Sequence, residues 1–359
     1  MYSQDMPTQH SVQLREVGNM SKLPNSEILL IYEAKNCNPN GDPDEENRPR
    51  IDPKTRINLV SDVRLKRFFR DYIATRYGEK YVFVTKVFGR SVRADQRVTL
   101  LSYEELTPDE IDSKLEDWKK KDKKEIESLA DEVPKRCIDA RLFGAVVPIG
   151  AGEGRGAQRT FIGPVQFTWG FSLHPVELVE SSTITSVFSG REAIEQYGTM
   201  GKDWRLYYSL ISFYGVVSGN RAPQTGLDYK DLIVLDNILW RALTVEATTR
   251  SKIGERPLLY LRIEYKDSET LLGDLRRFID VSIKEPIREF IDVSPKFDRL
   301  VNVLSKCKDL ISKIYINCSE EMEFLKDELS QKLPENYIYT LPHPLSDNEI
   351  CEIIARIIA

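Results

Sequence analysis

The chain has little of what metal centres and covalent frameworks are built from. It carries three histidines in 359 residues, His10, His174 and His343, too few for a histidine-built metal site. Its five cysteines, Cys37, Cys137, Cys307, Cys318 and Cys351, are odd in number, widely spaced and include no Cys-x-x-Cys pair. That argues against a disulfide framework and against structural zinc. No apolar run approaches the roughly 20 residues that cross a bilayer. Residues 1–26 are polar and lack an apolar core, so they read as a disordered tail and not as a signal peptide. No Ser/His/Asp or Cys/His grouping assembles, and no catalytic residue, metal or cofactor is expected. The expected compartment is the cytoplasm.

What is present is a soluble composition, 41% hydrophobic and 30% charged, long enough for one elaborated domain or two ordinary ones. The net charge of −5 is an average over unlike parts. Residues 101–135 hold twelve acidic against seven basic groups, and residues 267–359 hold eighteen against twelve. From Arg48 to Arg70 the balance reverses, with eight Lys/Arg against two Asp. A polyanion is the natural partner of such a patch.

Glu27 to Lys35 reads as a buried strand. A loop of turn formers follows, Asn36-Cys37-Asn38-Pro39-Asn40-Gly41-Asp42-Pro43-Asp44. A helix is expected next, with Asn58 as its cap, Asp62 in its first turn and Leu65, Phe68, Phe69, Tyr72 and Ile73 on its core face. Tyr81 to Val87 is a further strand candidate, and residues 101–135 form a charged helical insertion whose plain reading is a solvated face. Leu142 to Ile149 is apolar, Val165 to Ser172 alternates like a strand, and a polar excursion over 175–205 precedes an apolar strand, Leu206 to Val217. Asp228 to Leu243 reads as a second helix and Leu258 to Tyr265 as a final strand. The order is an interrupted ferredoxin-like βαββαβ pattern, so the fold class is α+β, with a helical C-terminal extension over 267–359.

Several motifs carry chemistry in principle. The glycine run Gly150, Gly152, Gly154 and Gly156 lacks the Gly-Lys-Ser/Thr ending of a phosphate loop and precedes a strand, so a hairpin loop is the better reading. The Asn36 to Asp44 loop offers oxygens at calcium-like spacing, but Asn47 stands where a bidentate Glu belongs. Asp42 and Asp44, with His174, would be the parts of a nuclease; solvated carboxylates and a packed histidine are the plain alternative. The basic segment is the strongest feature. Arg48, Arg50 and Arg56 lead into Arg64, Lys66, Arg67 and Arg70, and Arg250 and Lys252 form a second cluster. Arg141, Arg155 and Arg159 complete the candidate phosphate contacts. The aromatic sheet motif of a standard RNA-recognition domain is absent, so contact with the backbone, not base stacking on the sheet, is expected.

These blocks resemble a known family. Asn38-Pro39-Asn40-Gly41-Asp42-Pro43-Asp44, Arg48-Pro49-Arg50 and Ser61 to Arg67 are similar to the Cas-seven backbone subunit of type I CRISPR Cascade complexes, in the subtype I-B branch. The likeness continues through Asp139 to Gly144, Gly163 to Gly170, Leu173 to Val176 and Thr249 to Lys252, spanning roughly residues 27–266. It implies a modified RNA-recognition palm over 27–266 with fingers inserted at about 88–135 and a thumb at about 175–205. It implies a subunit without catalysis, copies assembled head to tail on a CRISPR guide RNA, other Cascade subunits as partners, and target DNA read by base pairing with the guide. An endoribonuclease of the same superfamily is the rival that the resemblance leaves open.

Overall fold

The computed structural model describes residues 23–103, 105–149, 157–180, 183–189 and 198–355. The tail before residue 23, the four glycines of the run and Arg155 lie outside the described residues. The architecture is α+β around one eight-stranded mixed sheet. Its strands in chain order are β1 (Ser26–Cys37), β2 (Ile57–Val60), β3 (Val165–Phe167), β4 (Gly170–Pro175), β5 (Leu206–Val217), β6 (Glu255–Tyr265), β7 (Ile311–Cys318) and β8 (Ile338–Thr340). In space they run β8-β7-β6-β1-β5-β4-β2, and β3 also pairs with β5. All pairings are antiparallel except β7 with β8.

β1 is central and buried on both faces, which is why its sequence is a continuous apolar run and not an alternation. Ile28, Leu30 and Tyr32 point to one face, where helices α1 (Asp62–Arg76) and α2 (Tyr229–Val245) cover them. Leu29 and Ile31 point to the other, covered by α3 (Asp298–Lys306) and α4 (Glu323–Lys332). A last helix, α5 (Asp347–Ala355), sets Ile350 and Ile354 against the first face. The five apolar residues expected on the core face of α1 are all buried, and the helix expected over Asp228 to Leu243 forms as α2, with Asp228 as its cap.

Three local expectations are corrected. Asn58 does not cap α1; it lies buried in β2, donating from Nδ2 to Arg50 O at 2.9 Å, and Ser61 is the cap. Tyr81 to Val87 is not a strand: a 3-10 turn at Glu79–Tyr81 is followed by turns, because the Phe83 and Val84 amides donate to the buried Asp139 carboxylate and not to a ladder. The region after 267 is not wholly helical. It supplies β7 and β8 to the central sheet together with the helices that bury its second face. Residues 101–135 are helical as expected, chiefly at Lys123–Arg136. The strands Gly144–Ile149 and Ala157–Ile162 pair in a hairpin on either side of the glycine run.

Candidate nucleic-acid interface

Antiparallel pairing brings several loops to one end of the sheet. Cys37 pairs with Leu206, Ala34 with Glu255 and Ile57 with Pro175, so the loops over 36–56, 176–205 and 246–254 share an edge. The first is shaped by its own polar side chains. Asn38 Nδ2 donates to Asn47 O at 2.7 Å, Asn40 Oδ1 accepts from Ser61 N at 2.8 Å, and Asp42 Oδ1 accepts from Asp44 N at 3.1 Å. Gly41 is required, since a Cβ there would meet Asn47 O at 2.7 Å. Asn40 and Asp42, two of the residues that looked like calcium or nuclease groups, are therefore engaged within the loop. Asp42 Oδ2 also accepts from Arg50 Nη1 at 2.7 Å.

This loop carries Arg48 and Arg50 outward. Arg48 lies over the Trp204 ring, 5.4 Å from its centroid, and Arg50 over Trp169 at 5.8 Å. Arg48 and Arg56 are exposed and face a groove of about 530 Å³ whose walls include Ile51, Val176 and Leu178. Arg56 holds a positive φ of 58°, a conformation that costs a non-glycine residue on the order of 1 kcal/mol or more and is kept only where the surroundings fix it. Its carbonyl accepts from Val176 N at 2.8 Å, which fixes it here. Among the described residues, neither Arg48 nor Arg56 has a carboxylate partner.

The other expected contacts divide. Arg64 is half-buried with its guanidinium 3.8 Å above the Phe68 ring. Arg67 is exposed and paired with Asp71 at 3.1 Å. Arg250 is exposed and paired with Asp203 at 2.9 Å, and Arg159 makes two bonds to Asp131 at 2.7 and 3.0 Å on the distant hairpin. Arg70 reaches inward to Asp139 at 2.9 Å, and Lys66 is buried against Asp62 at 2.9 Å. Arg141 is 1% exposed and bonded to Asp231 at 3.0 Å, so it does not reach the surface and leaves the set of contacts. Lys252 is also withdrawn: its Nζ donates to the carbonyls of Asn38 and Pro39, holding the loop from below.

Sequence reasoning missed Lys202, Trp204 and Arg205. Lys202 pairs with Glu46 at 2.6 Å and lies 5.6 Å from the Trp204 centroid, and Arg205 Nη1 donates to Asn36 O at 3.3 Å. The available signal was the run Lys202-Asp203-Trp204-Arg205, basic and aromatic residues interleaved just ahead of an apolar strand. His174 is not poised as a base. Burial lowers its pKa, its Nε2 accepts from Leu210 N at 3.1 Å and its Nδ1 faces Pro175 O at 2.8 Å.

The profile of the CRISPR-associated protein Cas7 family matches residues 24–327. A curated relative from Haloferax volcanii, CRISPR-associated protein Cas7, is 33% identical over 311 residues, covering 83% of this chain and 87% of its own length. The chain belongs to the Cas7 family. Among solved structures, it is similar to a chain described as a CRISPR RNA-guided surveillance complex, pre-nicking, with a TM-score of 0.49 and 14% identity over 93% of this chain and 100% of that one. A second, described as a CRISPR RNA-guided surveillance complex, gives a TM-score of 0.43 and 13% identity over 92% and 99%. The family match spans the strands that bear the cationic rim and reaches through α3 and β7 into α4.

Proposed function

We propose that this Cas7-family chain is a backbone subunit of a type I Cascade complex, of subtype I-B, that grips a CRISPR guide RNA with the cationic rim at one end of its sheet. The observation carrying this reading is the rim itself: Arg48, Arg50, Arg56, Lys202 and Arg205 gathered from two loops, with Trp169 and Trp204 beneath two of the guanidiniums. Cations on loops hold phosphates without reading bases, which suits a guide whose spacer varies. The strand order β6-β1-β5-β4, with α1 and α2 on one face, supports a modified RNA-recognition palm. The helical insertion before residue 136 would be its fingers, and the excursion between β4 and β5 its thumb. Copies would follow one another head to tail along the spacer in the cytoplasm, beside other Cascade subunits, leaving the guide free to pair with target DNA.

The nuclease reading loses support at two of the three residues that motivated it, since Asp42 is held by Arg50 and His174 has both ring nitrogens engaged. The test is filter binding of a single-stranded guide RNA at several salt concentrations. Arg48→Glu with Arg56→Glu is expected to weaken binding broadly and to flatten the salt slope by about 0.7 for each phosphate no longer neutralised. Unchanged affinity and slope would remove the rim from the interface.

A further inference from the structure

Beneath the rim lies a cluster of buried polar groups. Glu255 opens β6, its side chain fully buried, with both carboxylate oxygens lacking a hydrogen-bond partner. Tyr32 Oη, Asn38 Oδ1 and Arg64 Nε are likewise buried without partners. Lys252 Nζ stands 3.8 Å from the Glu255 carboxylate, an ion pair beyond hydrogen-bond reach, while donating to Asn38 O and Pro39 O, the latter at 2.7 Å. One ammonium therefore ties the start of the guide-binding loop to a buried carboxylate under it.

We propose that Lys252 and Glu255 form a proton-responsive positioning pair, which sets both the hold on the loop over 36–50 and the charge beneath the bound RNA. This deepens, and rests on, the guide-binding reading. Burial pushes the Glu255 carboxyl up to about 7 and the Lys252 ammonium down to about 8, each opposed by the charge of the other. Between those values the pair is neutral overall. Below them Glu255 takes a proton and the pair is cationic; above them Lys252 loses one and the pair is anionic, and its bonds to the two carbonyls are no longer charge-assisted. The groups that face the pair are Tyr32 and Cys37 of β1 and Arg64 of α1. Burial drives the Cys37 thiol up to about 12 and the Tyr32 hydroxyl well above its ordinary value, so neither titrates near neutrality. A polyanion above the pair favours its protonated forms, and by linkage guide affinity falls as pH rises through the pair.

The test is fluorescence polarisation of a labelled single-stranded RNA at fixed ionic strength from about pH 6 to about pH 9, the window of these two groups. The wild type is expected to lose roughly tenfold in affinity across it, and a Lys252→Met, Glu255→Gln double variant less than about twofold. Lys252→Arg keeps a permanent cation and is expected to bind independently of pH through the upper half of the window; it decides the matter if the double variant does not fold. A pH-independent wild type, or variants whose affinity falls in parallel with it, overturns this inference and leaves the guide-binding reading standing. Absence of RNA binding at every pH overturns both.

Discussion

Arg48 and Arg141 are the same residue type in equally suggestive sequence contexts, and the fold gives them opposite roles. Arg48 is carried out on a hairpin whose turn is fixed by Asn38 and Gly41, so its charge is offered to solvent. Arg141 sits on the buried helix Ile138–Phe143, donating from Nε to Asp231 at 3.0 Å and from Nη1 to Lys135 O at 2.8 Å. Burial raises the Asp231 carboxyl to about 6 even with that guanidinium beside it. Replacing Arg141 with Met leaves an uncompensated buried carboxylate, and a loss of about 3 to 5 kcal/mol is expected in chemical denaturation. A loss near zero would show that Arg141 is not a structural residue. Nothing local in the sequence separates the two arginines, because the partner that internalises Arg141 comes from the first turn of a helix ninety residues further on.

At the scale of elements, the legible parts were those with a strong local period. The core face of α1 and the place of α2 follow from spacing alone. What was not legible depended on partners elsewhere. Asn58 lost its capping role because β2 pairs with β4 and needs it in the ladder region, and Tyr81 to Val87 lost its ladder to the Asp139 carboxylate. In the C-terminal region the run Ile311 to Cys318 has strand composition, but flanking helices masked it. Its partner β6 is the strand on which the expected domain ended. Since α3, α4 and β7 bury Leu29, Ile31, Leu259 and Leu261, a truncation after Lys266 would expose one whole face of the sheet. Such a chain is expected to aggregate, where the full chain gives a single size-exclusion peak; a soluble, cooperatively unfolding truncation would mean the palm is independent. The same attachment has a titratable part. Arg256 of β6 bonds Glu321 at 2.6 Å and holds its carboxyl down at about 2. A depressed carboxylate stabilises above its unfolded value, and that contribution disappears as pH falls from about 4.5 towards about 2. The melting-temperature gap between wild type and Glu321→Gln should close over that range, and because the pair is partly exposed the gap itself corresponds to less than about 1 kcal/mol.

For the whole molecule, the decisive property is the separation of charge. A chain with net charge −5 presents a cationic rim at one end of its sheet, while an excess of acidic groups lies in residues 101–135 and 267–359. Like-charged copies repel in free solution, and a polyanion threaded along the rims removes the local excess of positive charge and supplies a common axis. In the proposed head-to-tail assembly the length of the RNA, and not a closed interface, would set the number of copies, because a head-to-tail contact that does not return on itself has no intrinsic copy number. Sedimentation velocity with guide-like RNAs of graded length is the measurement that checks it. The protein alone is expected to sediment as a small species of fixed size. With RNA, the number of copies per complex should rise in steps as the RNA lengthens, and the salt slope of binding should grow in the same steps, since each copy adds its own phosphate contacts. A copy number that stays fixed while the RNA grows would exclude an open assembly and leave only a rim that binds one segment of RNA.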